Sequence, residues 1–239
     1  MIVEGINVVR ELLNSNSRID KIIVENNQNQ EIEEIVKLAN RNSILVEKVD
    51  KNKLERIVKS KTQGVIAFVP NFQYAELQDL FKLAENKGTK PFIVILDGIV
   101  DPHNLGAIIR TAECAGVDGV IIPENRAADI TDTVYKTSAG AVAHTLIVKV
   151  VNLTRTIDEL KKSGVWIYAL EAGNKQIYDC DFTYPTALVI GSEGKGVSRL
   201  VKEHSDEVVS LDMYGKVNSL NASNAGAIAI YEVVRQRRK

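Results

Sequence analysis

Hydrophobic positions in roughly the first 70 residues alternate between strand-like and helix-like patterns. Short runs rich in β-branched residues occur at Lys21 to Val24, Ile44 to Val46 and Val65 to Val69, and a helical stretch spans Glu31 to Ala39. This alternation predicts a small α/β unit. Its core is too small to be that of the whole protein.

Continuous apolar runs, separated by helical stretches, dominate the chain from Phe92 onward. Six such runs occur, at Phe92 to Leu96, Gly119 to Ile122, Leu146 to Val150, Val165 to Leu170, Ala187 to Ile190 and Val208 to Leu211. Runs that do not alternate with polar residues are typical of parallel strands covered on both faces. We therefore predict an α/β fold whose C-terminal domain has a mostly parallel sheet with helices on both faces.

A polar stretch separates these two regions. Residues 71–90 carry many Asn, Gln and Lys side chains, with one short helix predicted at Leu77 to Ala84. We predict an N-terminal domain at 1–70, a linker at 71–90 and a C-terminal domain at 91–239.

Two helices of the C-terminal domain have informative apolar stripes. The helix after the first strand ends at Gly116, places Arg110 off its stripe, and repeats apolar residues at Leu105, Ile108, Ile109, Ala112 and Ala115. The last helix has one stripe with Ile230 and Val233 and a second with Leu220, Ala227, Ile228, Tyr231 and Val234. Two stripes predict cover on two sides, which self-association would supply.

Composition and charge exclude several classes of protein. The chain is 45% hydrophobic and 26% charged, as in globular proteins, and its net charge of -1 excludes nucleic-acid binding by bulk charge. No apolar run approaches the roughly 20 residues that cross a bilayer, so we expect a cytoplasmic protein. Cys114 and Cys180 lie far apart without metal-ligand spacing, so we expect neither a disulfide nor a bound metal.

One local cluster of charge stands out from this neutral background. Residues 48–61 hold six basic residues and two acidic ones, a net charge of +4, and three arginines and a lysine end the chain. A solvated helix face is the common explanation of such a run, and a surface for RNA phosphates is the alternative. We predict RNA contacts at Lys51, Lys53, Arg56, Lys59 and Lys61.

Three segments of unusual composition follow or flank predicted strands, where open parallel sheets bind ligands. The segment 97–106 places Asn104 at a helix start, where it either caps the helix or serves a site. The glycine-rich segment 191–196 has neither nucleotide-binding spacing, and its Glu193 suits a cationic or hydroxyl-bearing ligand unless the segment is an ordinary turn. The segment 218–225 offers five small polar side chains where a helix cap needs one, although close helix packing would also favour them.

In this order, the three segments resemble the motifs of the SpoU (TrmH-type) branch of the SPOUT RNA methyltransferases. The matching stretches are DPHNLGAIIRTAECAG, LVIGSEGKGVSR and SLDMYGKVNSLNASNAGAIAIYEVVRQ. The segment Lys136 to Val142 and the ending EVVRQR are most similar to bacterial 23S ribosomal RNA guanosine 2′-O-methyltransferases. The resemblance covers nearly the whole chain.

The resemblance implies a fold, a cofactor and partners. It implies a deep trefoil knot, a homodimer formed through the knotted domain, and a ribosomal-protein-like N-terminal domain that captures RNA. S-adenosylmethionine would lie bent in the knot crevice, with no metal, against Gly191, Leu211, Leu220, Ile190 and Leu170. The substrate would be ribosomal RNA or a pre-ribosomal particle. A transfer RNA 2′-O-methyltransferase of the same branch and a non-catalytic ribosome-assembly protein are the alternatives.

The resemblance also implies a catalytic set. Its central residue would be Arg110, supported by Asn104, Glu193, Ser219 and Asn221. Arginine holds its proton to above about pH 12, so Arg110 acts either as a base in a strongly perturbed environment or as an electrostatic clamp. The sequence leaves both roles open.

Overall fold

The computed structural model describes residues 1–27, 29–58 and 62–238, which form two compact units. The first unit consists of Met1–Gln73 and Ile130–His144, and the second of Tyr74–Asp129 and the chain from Thr145 onward. This division differs from the predicted boundaries, because residues 74–90 belong to the second unit and residues 130–144 to the first.

The elements alternate along the chain. The strands are β1 (Ile2–Glu4), β2 (Lys21–Glu25), β3 (Val46–Val49), β4 (Val65–Phe68), β5 (Phe92–Asp97), β6 (Gly119–Pro123), β7 (Ile147–Val150), β8 (Trp166–Gln176), β9 (Thr186–Gly191) and β10 (Glu207–Ser210). The helices are α1 (Ile6–Asn14), α2 (Gln30–Arg41), α3 (Lys51–Ile57), α4 (Leu77–Lys87), α5 (Pro102–Cys114), α6 (Asp132–Thr137), α7 (Leu153–Lys162), α8 (Arg199–His204) and α9 (Ala222–Arg237). Short 3-10 turns lie at Ala141–Ala143 and Ile177–Asp179. No helix of the described chain is long and apolar enough to cross a membrane.

The first unit is built on a four-stranded mixed sheet in the order β1-β4-β2-β3. Strand β4 pairs antiparallel with β1 and β2, and β3 pairs parallel with β2. Alternate residues of these strands join Leu54 of α3 in a small core with Ile23, Val49 and Ile66. The predicted small α/β unit is therefore confirmed.

The segment 130–144 completes this first unit. Helix α6 packs against β1, and the 3-10 turn at Ala141–Ala143 packs against α1. Val134 and Val142 are buried, and Lys136 pairs with the Glu4 carboxylate. Gly140 adopts φ +90, and a Cβ there would lie 2.7 Å from the side chain of Glu11. The first unit thus needs two separate segments of the chain.

Deleting residues 1–73 alone is expected to give an aggregating protein, because it uncovers the buried side chains of Val134, Tyr135 and Val142. Deleting the same residues and replacing 130–144 with a short Gly/Ser linker is expected to give a folded protein. Gel filtration and thermal melting of the two truncated chains check this. A monodisperse, cooperatively melting product of the simple deletion would contradict the two-segment description.

The second unit holds a six-stranded parallel sheet in the order β10-β8-β9-β5-β6-β7. One face packs against Leu80 of α4, Ile157 of α7 and Val201 of α8. The opposite face carries α5 and α9, where Gly226 lies so close to the sheet that a Cβ would be 2.7 Å from Ile190 Cδ1. The predicted parallel sheet with helices on both faces is confirmed.

Helix α4 occupies most of the predicted linker at 71–90. Its Leu80 and Ala84 are buried, and Leu80 belongs to the core of the second unit. Glu76 and Asp79 form a capping box at its start, and Gly88 ends it in the left-handed conformation. The polar composition of this segment reflects the exposed face of an amphipathic helix.

The two apolar stripes of α9 have different surroundings. Ala229, Ile230 and Val233 are buried, whereas Ile228 and Tyr231 are 41% and 48% exposed. The loop before α9 also exposes apolar side chains, among them Val217 at 73%. The second stripe is therefore uncovered within one chain.

The arginines at the end of α9 serve the fold. The Arg237 guanidinium donates to the carbonyl oxygens of Phe182 at 2.9 Å, Lys90 at 2.8 Å and Pro91 at 3.1 Å, and it lies over the Phe92 ring. Arg235 pairs with the buried Glu232 at 2.7 Å. The Arg237 guanidinium is therefore occupied by the fold, whereas the Arg235 side chain is 59% exposed and stays accessible to RNA phosphates.

Arg237→Ala is expected to lower the free energy of unfolding by about 2 to 4 kcal/mol, because it leaves several carbonyl groups without a donor. The exposed Arg238→Ala is the matched control and should change stability by less than about 0.5 kcal/mol. Urea unfolding monitored by circular dichroism measures both. Equal effects of the two variants would contradict an anchoring role for Arg237.

Candidate active site

Most of the predicted site residues of the second unit lie at one edge of its sheet. Because parallel strands end at the same edge, Asp97 of β5, Leu170 of β8 and Gly191 of β9 come close together there. Strands β5 and β9 are adjacent although about 90 residues separate them in sequence. From β5 the chain continues to β6 on one side, and from β9 it continues to β10 on the other side. The carboxyl ends of β5 and β9 are therefore a topological switch point, where open parallel sheets bind ligands.

Three predicted catalytic residues form a hydrogen-bonded cluster at this edge. Asn104 Nδ2 donates to Glu193 Oε1 at 3.1 Å, and Asn221 Nδ2 donates to Asn104 Oδ1 at 3.0 Å. Asn221 Nδ2 also contacts Glu193 Oε1. Two amides thus fix one carboxylate oxygen, which joins all three predicted segments.

The interpretation of Asn104 as a helix cap is wrong. Asp101 caps α5 by accepting the His103 backbone N–H at 2.9 Å, which leaves the Asn104 side chain free for the cluster. Asn221 does cap its helix, since Oδ1 accepts the N–H groups of Ser223 and Asn224. The Asn221 Oδ1 atom therefore caps the helix, while its Nδ2 atom donates within the cluster.

A cavity of about 900 Å³ opens beside this cluster. Its lining includes every predicted cofactor residue and three predicted catalytic residues, namely Leu170, Ile190, Gly191, Leu211, Leu220, Glu193, Ser219 and Asn221. The volume lies within the usual range for small-molecule sites. The structure thus brings most of the predicted site around one space.

The charged lining of the cavity is mostly acidic. Glu171, Glu193 and Asp212 face one basic residue, Lys195. The Asp212 carboxylate accepts a hydrogen bond from the Tyr214 hydroxyl at 3.1 Å, and this bond raises the pKa of that phenol. The surplus of carboxylates favours a ligand with positive charge.

Glycine is required at the start of the turn that walls the cavity. A Cβ at Gly191 would lie 2.2 Å from both the Gly196 carbonyl carbon and the Val197 nitrogen. These are backbone atoms, so they cannot move aside without changing the turn. The Gly196 N–H donates to the Ser192 carbonyl at 2.9 Å and closes that turn.

Arg110 does not belong to the cavity lining, and among the described residues it makes no hydrogen bond to the cluster. It follows Asn104 by six positions on α5, which is about 9 Å along a helix axis, and its side chain is exposed. Within the described part of the chain it makes no hydrogen bond or ion pair. Its guanidinium is therefore accessible to a ligand from solution.

Three of the five predicted RNA-binding residues lie in the described part of the chain. Lys59 and Lys61 lie outside the described residues, whereas Lys51, Lys53 and Arg56 lie exposed on α3. Lys53 pairs with Glu47 at 2.9 Å, and its hydrogen bond, with that of Lys21, lowers the pKa of the Glu47 carboxyl. Arg56 has no partner within the described ranges.

Asp97 and Glu171 were not predicted to serve the site. Glu171 lines the cavity and accepts the Val197 N–H at 2.8 Å, and Asp97 accepts the Ser198 N–H at 2.7 Å. The sequence does contain a signal, because each is a carboxylate directly after an apolar strand run. No ligand-forming cluster of three or more His, Cys, Asp or Glu residues suited to a metal occurs among the described residues.

Two family models match this chain. The SpoU rRNA Methylase family model matches residues 91–231. The model for RNA 2′-O ribose methyltransferase substrate binding matches residues 2–75. Together they account for most of both units.

Known proteins are similar over nearly the full length. YacO of Bacillus subtilis (strain 168), assigned to the TrmH family of tRNA/rRNA methyltransferases, is 44% identical over 235 residues, which are 98% of this chain and 94% of YacO. A relative from Staphylococcus saprophyticus, assigned to the same family, is 43% identical over 99% of this chain and 96% of its own.

Solved structures share the fold. The SpoU methyltransferase AviRb from Streptomyces viridochromogenes, solved with AdoMet, superimposes with a TM-score of 0.83 at 24% identity and covers 100% of this chain and 90% of its own. The A. aeolicus TrmH/SpoU tRNA modifying enzyme gives a TM-score of 0.58 at 34% identity, over 67% of this chain and 83% of its own. With the family model over residues 91–231 and relatives 44% identical over almost the whole length, this chain belongs to the SpoU family of RNA methyltransferases.

Proposed function

We propose that this enzyme transfers a methyl group from S-adenosylmethionine to the ribose 2′-hydroxyl of a guanosine in 23S ribosomal RNA. The observation that carries the proposal is the cluster of Asn104, Glu193 and Asn221 beside an acidic cavity. The descriptions of the two matching family models support a ribosomal substrate and a ribose hydroxyl as the acceptor.

The lining of the cavity fits S-adenosylmethionine. Leu170, Ile190, Leu211 and Leu220 offer apolar surface for an adenine ring, and the backbone at Gly191 can approach a ligand closely. The acidic surplus suits a sulfonium cation, whose methyl group is already electrophilic. These residues would hold the methyl donor without a metal.

Catalysis then requires activation and alignment of the ribose hydroxyl, which is a poor nucleophile while it keeps its proton. Arg110 is free to bind the neighbouring RNA phosphate and to stabilise negative charge that develops on the oxygen. The planar guanidinium of arginine suits two-pronged contact with a phosphate, which favours this electrostatic role over that of a base. Ser219 and the cluster amides offer neutral hydrogen bonds that align the ribose.

The first unit captures RNA in this proposal, and the second carries the reaction. Arg56 and Lys51 on α3 are exposed, and Lys51 holds only a long contact of 3.9 Å to Glu55. Exposed pairs of this kind contribute little stability, so RNA phosphates can replace them. The trefoil knot stays a prediction from the family resemblance.

We propose a homodimer formed through the uncovered stripe of α9. A double change to Ile228→Lys and Tyr231→Lys places charge on this apolar face, and we expect it to convert dimer to monomer. The exposed Leu200→Lys on α8 is the control and should leave the dimer intact. Sedimentation measures the three masses. A monomeric unmodified protein would contradict the proposal.

Transfer RNA is the second candidate substrate. It is favoured by the 34% identical structure described as a tRNA modifying enzyme. A non-catalytic assembly protein would gain nothing from a carboxylate held by two amides beside a cavity, so we rank it third.

Transfer of labelled methyl groups to purified RNA discriminates among these functions. The proposal expects label in unmodified 23S ribosomal RNA or in a pre-ribosomal particle. Label in transfer RNA alone would contradict the ribosomal assignment. Failure to label any of these RNAs, with cofactor binding intact, would favour the assembly protein.

A further inference from the structure

Two carboxylates, one from each neighbouring strand, accept hydrogen bonds from the loop that follows β9. Strand β9 lies between β8 and β5 in the sheet. Glu171 on β8 accepts the backbone N–H of Val197 at 2.8 Å, and Asp97 at the end of β5 accepts the next N–H, that of Ser198, at 2.7 Å. The two acceptors thus hold consecutive amides from opposite sides.

These amides need outside partners. Ser198 is the residue before α8, and its side chain makes no capping hydrogen bond. The Ser198 N–H stands at the start of α8, where the first N–H groups have no acceptor within the helix, and Val197 before it is buried, so both amides need acceptors from elsewhere. Carboxylates are strong acceptors for backbone N–H groups, and here they come from the rigid sheet.

The contact with Glu171 is close. Gly196 adopts φ +63, and a Cβ there would lie 1.8 Å from Glu171 Oε2, so the carboxylate packs directly on the loop backbone. The neighbouring Val197 side chain is buried in the core. The far end of the loop is therefore fixed, while its near end continues β9.

Everything between these fixed ends faces the cavity. Gly191 through Gly196 all line it, and Glu193 of the catalytic cluster lies within this segment. In the described part of the chain, neither Asp97 nor Glu171 makes a hydrogen bond to Asn104 or Asn221. Asp97 does not belong to the cavity lining, so its influence on the site acts through the loop, whereas Glu171 both holds the loop and lines the cavity.

We propose that Asp97 and Glu171 are positioning residues that hold the 191–198 loop in the conformation able to bind the methyl donor. This inference rests on the proposed function, because it assigns the cavity to S-adenosylmethionine. Loss of either carboxylate leaves the loop in its binding conformation for only a fraction of the time. The apparent dissociation constant rises by the inverse of that fraction, and saturating ligand restores the loop.

The expected effect is therefore on affinity more than on turnover. A hydrogen bond to a charged group corresponds to about a 10- to 100-fold change in an equilibrium. Asp97→Ala and Glu171→Ala should each weaken S-adenosylmethionine binding by about that factor. For Asp97→Ala, which leaves the cavity lining intact, kcat at saturating methyl donor should stay within about fivefold of the unmodified enzyme, since the bound ligand reorders the loop.

The test is calorimetric titration of the full-length protein with S-adenosylmethionine, without RNA. Asp97→Asn keeps an acceptor oxygen and should recover most of the affinity. Glu171→Gln also keeps an acceptor but removes a carboxylate from the cavity lining, so it should recover the affinity only in part. Glu203→Ala is the matched control, because it removes an exposed carboxylate from α8, paired with Arg199, without touching the loop. The double alanine variant should lose less than the product of the two single losses, since both residues hold one loop.

Hydrogen exchange supplies a second readout that does not depend on activity. In the alanine variants, peptides that cover residues 191–198 should exchange faster, and the ligand should slow them again, while the melting temperature changes little. Unchanged affinity and exchange in both alanine variants would overturn the inference. Failure of the unmodified protein to bind S-adenosylmethionine would instead overturn the proposed function.

Discussion

Arg110→Ala is expected to reduce methyl transfer by at least about 1,000-fold while S-adenosylmethionine binding stays within a few-fold of the unmodified enzyme. The side chain lies outside the cavity lining and has no partner in the described chain, so its removal leaves the cavity intact. Single-turnover transfer and calorimetry measure the two effects separately.

Arg110→Lys is the matched variant for this prediction. It keeps the charge but not the two-pronged contact with a phosphate, so partial activity with an unchanged pH profile would support the clamp role. If Arg110 were the base, the pH profile of the lysine variant would instead change, because activity would then depend on deprotonation of a lysine, which loses its proton at lower pH than arginine. Loss of cofactor binding together with activity would contradict the placement of Arg110 outside the cavity.

Gly191→Ala is expected to weaken cofactor binding by at least about 100-fold. The added methyl group would lie 2.2 Å from backbone atoms of Gly196 and Val197, so the turn that walls the cavity must change. Calorimetric titration with S-adenosylmethionine measures the loss.

Gly215→Ala is the matched control. It lies in the loop before α9, and an added Cβ there meets only the Val217 nitrogen, at 4.0 Å. The affinity of the Gly215→Ala variant for S-adenosylmethionine should match that of the unmodified enzyme within about twofold. Equal affinity of both alanine variants would contradict the description of the 191–197 turn as a wall of the binding cavity.

The strands of the second unit could be predicted because each buried parallel strand is a continuous apolar run. Strand β8 is the exception, since it continues to Gln176, well beyond the predicted end at Leu170. Its outer half pairs with β10 across a register shift between Val208 and Val209. That half is polar because it lies near the edge of the sheet, so hydrophobicity alone could not reveal it.

The segment 130–144 could not be assigned from the sequence. It belongs to the first unit although the residues before and after it belong to the second, and no change in composition marks either boundary. Its apolar residues Val134, Tyr135 and Val142 are buried like those of any core helix. Which core buries them depends on contacts with β1 and α1, more than 100 positions earlier. Tertiary packing decides this placement.

Most of the site could be predicted because loops after parallel strands meet at one edge. This rule and the family resemblance together predicted that Asn104, Glu193 and Asn221 belong to one site, and the structure joins them by hydrogen bonds. The rule alone could not distinguish a cap from a cluster residue at Asn104, because the cap depends on Asp101 three positions earlier. Asp97 and Glu171 were missed because a carboxylate directly after an apolar strand run does not show which backbone amides it will hold.

Identification of the methylated atom tests the central claim most directly. Unmodified 23S ribosomal RNA labelled by the enzyme would be digested completely to nucleosides, which would be separated by chromatography and identified by mass spectrometry. We predict label in 2′-O-methylguanosine, which also makes the adjoining phosphodiester bond resistant to alkali. Label on a base, with the adjoining bond still cleaved by alkali, would contradict the assignment of this site to the ribose hydroxyl.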